Sequence, residues 1–427
     1  MDVRNQKITI LGLGESGVQS AVFLKKRGAH VFVSEYKTSP RTESARLVCQ
    51  NHGIAAELGK HSKEKIENSD LVIICPGIAP HSDIYRFVES KKIPMMSEIE
   101  LAARFFDGEM IGVTGTNGKT TVTTLIAHVL NACSIHARSA GNIGNPLIGE
   151  IESVKKNEKV VVELSSFQLQ NTFSLKPKVA VLLNIEPDHL DWHASYEEYC
   201  DAKFRLFMNQ TKTDYAVLNA QDPVSQARLD AIPSKQLFFN QNASQFNPNI
   251  QAVQLVAQIY DLDAQQVTGA LRNCPRLEHR LEVVPSNDPF EYINDSKSTN
   301  ISSLKWALKQ MSKKVWLICG GKNKGGDFTE LLPYLKDKVK KTFLIGETQD
   351  EMDSLFRSTL ETERFETLRD AVLKARGEAK AGDMILFSPA CASFDMFFNY
   401  IDRGNQFKKI VQEVSQADLK RQPASKV

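Results

Sequence analysis

Thr114-Gly115-Thr116-Asn117-Gly118-Lys119-Thr120 follows the apolar run Met110 to Val113 and opens the helix-patterned stretch Thr121 to Leu130. Strand, glycine loop and helix in that order form a phosphate-binding site. Glycines let the backbone close around phosphate oxygens, Lys119 brings a point charge to the outer phosphates, and the Thr120 hydroxyl can take a place on Mg2+. The loop is a variant: the usual pattern has a glycine where this chain has Val113, and Gly115 is the loop glycine instead. A Gly-rich turn of some other α/β enzyme is the bland alternative, and Gly-Lys-Thr at a helix start is hard to reconcile with it.

Downstream of the loop, the β runs Val160 to Val162, Val179 to Leu183 and Tyr215 to Leu218 end in Glu163, in Asn184, and in Asn219-Ala220-Gln221-Asp222. Polar residues at successive strand ends beside one phosphate loop make an α/β unit with its site along one sheet edge. Upstream, the strand pattern Lys7 to Leu11 leads into Gly12-Leu13-Gly14-Glu15-Ser16-Gly17, an amphipathic stretch Val18 to Arg27, and the strand Val31 to Val33 ending in Glu35. That is a dinucleotide-type fingerprint, with an acid about 20 positions on where a ribose or base edge would sit. A third strand, Leu71 to Cys75, ends in Pro76-Gly77-Ile78-Ala79, and a helical pattern from Glu98 to Phe106 places a boundary near Ser97. From Gln236 to Asn249 the composition turns to Asn, Gln, Phe and Pro before helix resumes at Ile250 to Ile259. Arg276 to Arg280 opens a third unit with apolar runs at Val315 to Cys319, Thr342 to Ile345 and Met384 to Phe387. The reading is α/β throughout, with an N-terminal Rossmann-like domain over 1–97, a central P-loop domain over 98–276 and a C-terminal Rossmann-like domain over 277–427.

A length of 427 residues suits about two to four ordinary domains, and 42% hydrophobic with 24% charged residues describes a globular protein. A net charge of +2 gives no reason to expect nucleic acid or a membrane surface as partner. Lys336 to Lys341, the densest basic run, reads as a solvated face. The seven cysteines (Cys49, Cys75, Cys133, Cys200, Cys274, Cys319, Cys391) contain no CxxC pair, which argues against a zinc site or a disulfide framework and for a reducing compartment. No apolar run approaches a membrane span and no signal core precedes the first strand, so a cytoplasmic location is expected. The polar stretch 417–427 reads as frayed.

Several segments together resemble the Mur ligase family. They are the loop Gly115 to Thr120, Gly141-Asn142-Ile143-Gly144, Glu163-Leu164-Ser165-Ser166-Phe167-Gln168-Leu169, Asn184-Ile185-Glu186-Pro187-Asp188-His189-Leu190-Asp191 and Tyr199-Cys200-Asp201-Ala202-Lys203. Glu163 to Leu169, Asn294-Asp295-Ser296-Lys297-Ser298-Thr299-Asn300 and Ser388-Pro389-Ala390-Cys391-Ala392-Ser393-Phe394-Asp395 resemble its D-glutamate-adding branch. The resemblance implies that ATP phosphorylates the carboxylate of UDP-N-acetylmuramoyl-L-alanine and that the D-glutamate amine attacks the acyl phosphate, in peptidoglycan precursor synthesis. It implies catalytic roles for Lys119, Glu163, His189 and Lys203, with Thr120, Glu163, His189 and a carbamylated Lys203 around two Mg2+ sites. ATP would be held by Gly115, Thr116, Asn117, Gly118, Lys119, Thr120, Thr121, Asn249, Arg280, Asp295 and Lys297, with His279 close by. The UDP-substrate would meet Gly14, Glu15, Ser16, Glu35, Lys37, Gly77, Asn142, Ser165, Gln168 and His189. D-Glutamate would meet Arg280, Thr299, Lys324, Ser393, Phe394 and Tyr400, arginine being suited to bidentate capture of a carboxylate. Cys391, with no base in evidence, reads as packing. The partners implied are these small molecules alone, and a monomer is expected.

Two departures from the family pattern stand out. Glu15 puts a carboxylate near where a pyrophosphate would lie, which like-charge repulsion disfavours unless the side chain turns outward. Between Asp222 and Asn249 the chain is shorter than the family's usual excursion, and only Phe246-Asn247-Pro248-Asn249 remains of its helix-opening motif. Three alternatives stay open: a family amide ligase adding L-alanine, a diamino acid or glutamate to a folate; a UDP-nucleotide sensor without turnover; and a dehydrogenase, which leaves the phosphate loop unexplained.

Overall fold

The structure, a computed structural model, describes residues 1–142, 144–155, 157–190, 192–241, 247–274 and 277–417. Three sheets account for its strands. The first contains β1 (Lys7–Leu11), β2 (His30–Glu35), β3 (Ala55–Leu58), β4 (Leu71–Ile74) and β5 (Met95–Ser97), all parallel, in the order β3-β2-β1-β4-β5. Chain order reverses between β1 and β4, so the loops after these two strands open the crevice where parallel sheets take ligands. The second contains β6 (Glu109–Thr114), β7 (Ala137–Gly141), β8 (Lys159–Glu163), β9 (Val179–Leu182), β10 (Tyr215–Asn219) and β11 (Lys235–Phe239), all parallel, in the order β11-β10-β9-β6-β8-β7. The third contains β12 (Glu282–Val284), β13 (Glu291–Asn294), β14 (Val315–Gly320), β15 (Val339–Ile345), β16 (Glu361–Phe365) and β17 (Met384–Phe387), in the order β12-β13-β17-β14-β15-β16, with only β12 antiparallel to its neighbour. The three-module α/β architecture expected from the sequence is present.

The inner strands form where the sequence is continuously apolar, because helices cover both faces of a parallel sheet. Val160, Val161 and Val162 in β8 and Val179 to Leu182 in β9 are fully buried, and each valine or leucine among them contributes about 1.5–3 kcal/mol. The Lys119–Ala132 helix buries Val122, Ile126, Val129 and Leu130 at the three-and-four spacing of one helix face. By its contacts the chain divides into two compact units, Met1–Ile185 with Trp192–Cys274, and Glu186–Asp191 with Pro275–Val427. The first two sheets lie in the former and the third in the latter.

Several strands were not visible as apolar runs. β3, β5, β7, β11, β12 and β16 are all sheet edges, and they read as mixed sequence because an edge strand has one strand neighbour and less cover. In β16 no residue is fully buried. β11 occupies the start of the Asn- and Gln-rich stretch that the composition marked as a break. The solvated-face reading of Lys336 to Lys341 fails at its end. Lys341 is 4% exposed, and its ammonium lies 2.7 Å from Glu361, 2.9 Å from Glu363 and 2.9 Å from Glu378. Burial opposes its charge, and the three carboxylates outweigh that and raise its pKa. Ile143, Asp191, Phe246, Arg276 and the stretch 418–427, on which parts of the sequence reading fall, lie outside the described residues.

Candidate functional site

The phosphate loop leaves the carboxyl end of β6, the strand flanked by β8 and β9. Two glycines permit its path. Gly118 caps the helix at φ +88, and a Cβ there would lie 2.8 Å from Asn249 Oδ1; Gly115 sits at φ +150, with Leu183 Cβ 3.0 Å from where its own would be. Asn249 of the Pro248–Ile259 helix is therefore packed against the loop despite the shortened segment before it. Lys119 Nζ donates to the carbonyls of Gly115 (2.9 Å) and Thr116 (2.8 Å). Asn184 clamps the loop from the end of β9: its Oδ1 accepts from Asn117 N (2.8 Å), its Nδ2 donates to Asn117 O (3.1 Å), and its carbonyl accepts from Thr116 N (2.8 Å). Thr120 is buried, and Thr121 carries a buried hydroxyl with no hydrogen-bond partner among the described residues.

Register places Glu163, the last residue of β8, beside Val113 of β6 and Gly141 of β7. Glu163 is 3% exposed; its Oε1 accepts from Asn142 Nδ2 (3.0 Å), while its Oε2 is buried with no hydrogen-bond partner among the described residues. A buried carboxylate oxygen left this way is costly unless a cation or donor joins it. Beneath the loop, the Tyr196–Phe204 helix presents two residues one turn apart. Tyr199 shares a 2.8 Å hydrogen bond with Thr116 Oγ1, and Lys203, 1% exposed, donates to Gly115 O (2.9 Å) with its ammonium 4.5 Å from the centre of the Tyr199 ring. The ammonium groups of Lys119 and Lys203 thus converge on one carbonyl oxygen.

In the first sheet, the glycine loop after β1 runs into the Glu15–Lys26 helix, with Gly14 and Glu15 exposed and Ser16 half-buried. Glu35 turns back on this loop: Oε2 accepts from Leu13 N (2.9 Å) and Oε1 from Lys37 N (2.7 Å). Gly77 and Lys37 are exposed at the neighbouring strand ends. Ser165 and Gln168 form a capping box at the Ser166–Gln170 helix, so each fixes the other. Asn142, expected on the UDP-substrate, donates to Glu163.

The second unit gathers the rest. The segment 186–191 is grouped with it. Here Asp188 accepts from Asn300 Nδ2 (2.9 Å), lies 3.9 Å from Lys324 Nζ, and receives the backbone N–H of His189 (2.9 Å), a residue at φ +58. His189 is thus grouped apart from Thr120, Glu163 and Lys203. Thr299 and Lys324 line a cavity of about 240 Å³ with Asp188, Asn300 and Leu190, whereas Arg280, Ser393, Phe394 and Tyr400 are not among its lining residues. Asp295 is buried between Ser388 Oγ (2.8 Å) and Leu281 N (3.2 Å), and burial pushes its carboxyl up to about 7. His279 is buried against Asn294, which lowers its pKa. Lys297 donates to Tyr400 Oη (3.3 Å). Ser393 is buried beside Phe394, which is 71% exposed. Cys391 is a buried thiol pushed up to about 12, no nucleophile. Buried Arg403 donates to Ser296 Oγ and O and to the carbonyls of Cys391 and Ala392, tying the 295–297 turn to the 391–393 loop.

Sequence reasoning missed the Asn184 clamp, Tyr199 and Arg403. Tyr199 was findable, four residues before Lys203 and hence on the same helix face; nothing local marks Arg403.

Residues 6–97 match the MurD-like N-terminal domain of Mur ligases, 113–270 the Mur ligase middle domain, and 279–391 the glutamate ligase domain of Mur ligases. The chain is 38% identical over 447 residues to a protein of Geotalea uraniireducens named UDP-N-acetylmuramoylalanine--D-glutamate ligase, covering 97% of this chain and 99% of the relative. A relative of the same name from Geotalea daltonii is 36% identical over 453 residues, covering 98% and 100%. Among solved structures, the UDP-N-acetylmuramate-alanine ligase MurC of Thermotoga maritima shares the fold with a TM-score of 0.59 at 19% identity over 97% of this chain and 100% of that one. The MurF ligase of Thermotoga maritima in complex with ADP does so with a TM-score of 0.60 at 14% identity over 98% and 96%. With all three domains matched in order and relatives this similar along almost the whole length, the chain belongs to the Mur ligase family.

Proposed function

We propose that this chain is an ADP-forming ligase that joins D-glutamate to UDP-N-acetylmuramoyl-L-alanine in peptidoglycan precursor synthesis. Its near full-length similarity to relatives of that activity supports the substrates. The observation that carries the chemistry is the buried Glu163 Oε2, with no hydrogen-bond partner among the described residues, beside a loop bearing Lys119 and Thr120. A carboxylate is a poor electrophile. One oxygen of the substrate carboxylate attacks the γ-phosphorus of ATP, the bond to the β-phosphate oxygen breaks, and ADP leaves. The D-glutamate nitrogen then attacks the acyl carbon, the carbon–oxygen bond to phosphate breaks, and the amine loses a proton. Lys119 leaves its two carbonyl partners to neutralise the outer phosphates, and the loop amides bind their oxygens. Asn249 approaches the nucleotide from the Gly118 side.

Glu163 and Thr120 fit Mg2+, a hard cation that takes few protein oxygens and completes its shell with phosphate and water. These two residues would hold the ion, which would supply positive charge to offset that on the phosphate oxygens. Lys203 is assigned as a carbamate. The ammonium first gives up a proton, and the neutral amine then combines with CO2 and loses a second, so a cation that shares Gly115 O with Lys119 becomes an anion, and like-charge repulsion becomes attraction. His189 and that carbamate are assigned to the second metal.

Gly14, Ser16, Glu35, Lys37 and Gly77 receive the UDP group, and exposed Glu15 turns outward; Asn142, Ser165 and Gln168 receive the muramoyl-alanine end. Lys324 and Thr299 take D-glutamate, Lys324 exchanging Asp188 for a substrate carboxylate, with Arg280, Ser393, Phe394 and Tyr400 completing its contacts. Asp295 and Lys297 serve the nucleotide. The domain limits 1–97, 98–276 and 277–427, a monomeric state and a cytoplasmic location belong to the same reading. No described helix is long and apolar enough to cross a membrane. The test is phosphate release from Mg·ATP with UDP-N-acetylmuramoyl-L-alanine, with and without D-glutamate. The expected result is release that needs both, with a product heavier by one glutamyl residue. Binding without turnover across an amino-acid panel would overturn the ligase in favour of a sensor.

A further inference from the structure

Glu98 opens the Glu98–Phe105 helix directly after β5, and an acid in the first turn of a helix is ordinarily an exposed residue that favours the dipole. Here it is 2% exposed. Its Oε1 accepts from Gln168 Nε2 at 2.9 Å, across 70 residues of sequence, and its Oε2 is buried with no hydrogen-bond partner among the described residues. Burial outweighs what Gln168 and the backbone N–H groups of Glu98 and Ile99 give this carboxylate and pushes it up to about 7. Packing alone would be served better by leucine or methionine.

The compensation lies in what Glu98 does to Gln168. Gln168 Oε1 accepts from both Ser165 N (3.0 Å) and Ser165 Oγ (3.1 Å), while Ser165 Oγ accepts from Gln168 N (3.3 Å). A flipped amide would set its NH2 against the Ser165 N–H and its oxygen against the Glu98 carboxylate, donor to donor and acceptor to acceptor. Glu98 therefore admits one orientation of the Gln168 amide and, through it, one setting of Ser165. The same carboxylate acts on Cys75, whose thiol is raised by burial first and by the Glu98 charge second. A Cβ on Gly12 would lie 2.9 Å from Cys75 Cβ. Glu98 thus stands where the glycine loop of the first sheet and the Ser165–Gln168 turn of the second come together within one compact unit.

We propose that Glu98 is a positioning residue for the UDP-substrate, orienting Gln168 and Ser165 by hydrogen bonding; this rests on the reading that those two residues touch that substrate. Glu98→Leu removes the acceptor, and the loss of one buried hydrogen bond raises the KM for UDP-N-acetylmuramoyl-L-alanine about tenfold while kcat and the KM for ATP stay within about twofold. Gln168→Ala raises the same KM, and adding Glu98→Leu to it has no further effect, because the two act through one bond. Reciprocal exchange, Glu98→Gln with Gln168→Glu, reverses donor and acceptor and restores the KM to within about threefold, whereas Gln168→Glu alone opposes two carboxylates and raises it. An unchanged KM in Glu98→Leu, additive effects, or an exchange that rescues nothing would overturn the relay. Equal losses in kcat and both KM values alongside a lowered melting temperature would assign Glu98 to structure alone. If Gln168→Ala leaves the KM unchanged, the reading of Gln168 as a substrate contact fails, and the relay with it. Should Glu98→Leu not fold, the exchange pair decides.

Discussion

The loops after β1 and β6 occupy equivalent places, each at the carboxyl end of a parallel strand and each opening a helix, yet they are finished with opposite charge. At the second loop two lysines donate into the carbonyls of Gly115 and Thr116, and an asparagine clamps the backbone. At the first, a carboxylate does the organising, with Glu35 accepting from Leu13 N and Lys37 N. A glycine loop is therefore a frame whose ligand is chosen by the side chains that reach it from neighbouring strands and helices. The cationic loop suits a triphosphate and a metal, and the acid-braced loop suits a nucleotide held by amides and hydroxyl contacts. The third sheet repeats the acid-braced arrangement of the first, with Asp295 at a strand end accepting from Leu281 N.

The contrast is broken most directly at the phosphate loop. Lys203→Ala should lower kcat/KM by roughly 10³-fold in the phosphate-release assay, since a preorganised charge at the transferring phosphoryl is lost. Bicarbonate or a short carboxylic acid should restore part of it; failure of both would remove the carbamate from the reading. Next, Glu163→Gln should cost about 100-fold in kcat, close to 2.7 kcal/mol of barrier, and shift the Mg2+ titration to higher concentration. An unshifted titration would mean that Glu163 holds no metal.

At the acid-braced loop the expected effect is smaller and confined to one substrate. Glu35→Ala should raise the KM for UDP-N-acetylmuramoyl-L-alanine about tenfold and leave that for ATP alone, because the bonds to Leu13 N of the glycine loop and to Lys37 N are lost. A change in the ATP constant would show that the two loops are not independent.

The smallest effect concerns Asp295 and is read in stability. Its pKa rises from 3.8 in the unfolded chain to about 7 in the fold through burial. Between those values the unfolded chain binds fewer protons, so stability falls as pH rises, by up to about 1.4 kcal/mol per pH unit for this group. Asp295→Asn should flatten that fall when urea unfolding is compared at pH 5 and pH 7.5. An equal slope in the variant would place the titration elsewhere.

How much of this was legible follows from the range of the interactions. The inner strands were readable because a parallel strand covered on both faces must be apolar residue after residue, as Val160 to Val162 are. The edge strands β3, β7 and β16 were not, because partial exposure tolerates Glu57, Arg138 and Glu363. The family resemblance marked Lys203, but its partner was not legible, and only the fold puts it on Gly115, 88 residues away. Lys341 looked solvated until β16 and the Leu368–Glu378 helix brought it three carboxylates.

By itself the sequence determined the phosphate loop, the glycine loop, the order of the α/β modules and the family, because each rests on a short stretch whose backbone demands are local. Tertiary structure alone decided which charges meet: Lys203 with the phosphate-loop carbonyl, Asn142 with Glu163, Asp188 with Asn300, and Glu98 with Gln168. The reason is physical. Helix, strand and turn are set by neighbours a few residues away, whereas the ionisation and partner of a side chain are set by burial and by groups that only chain folding brings within a few ångströms.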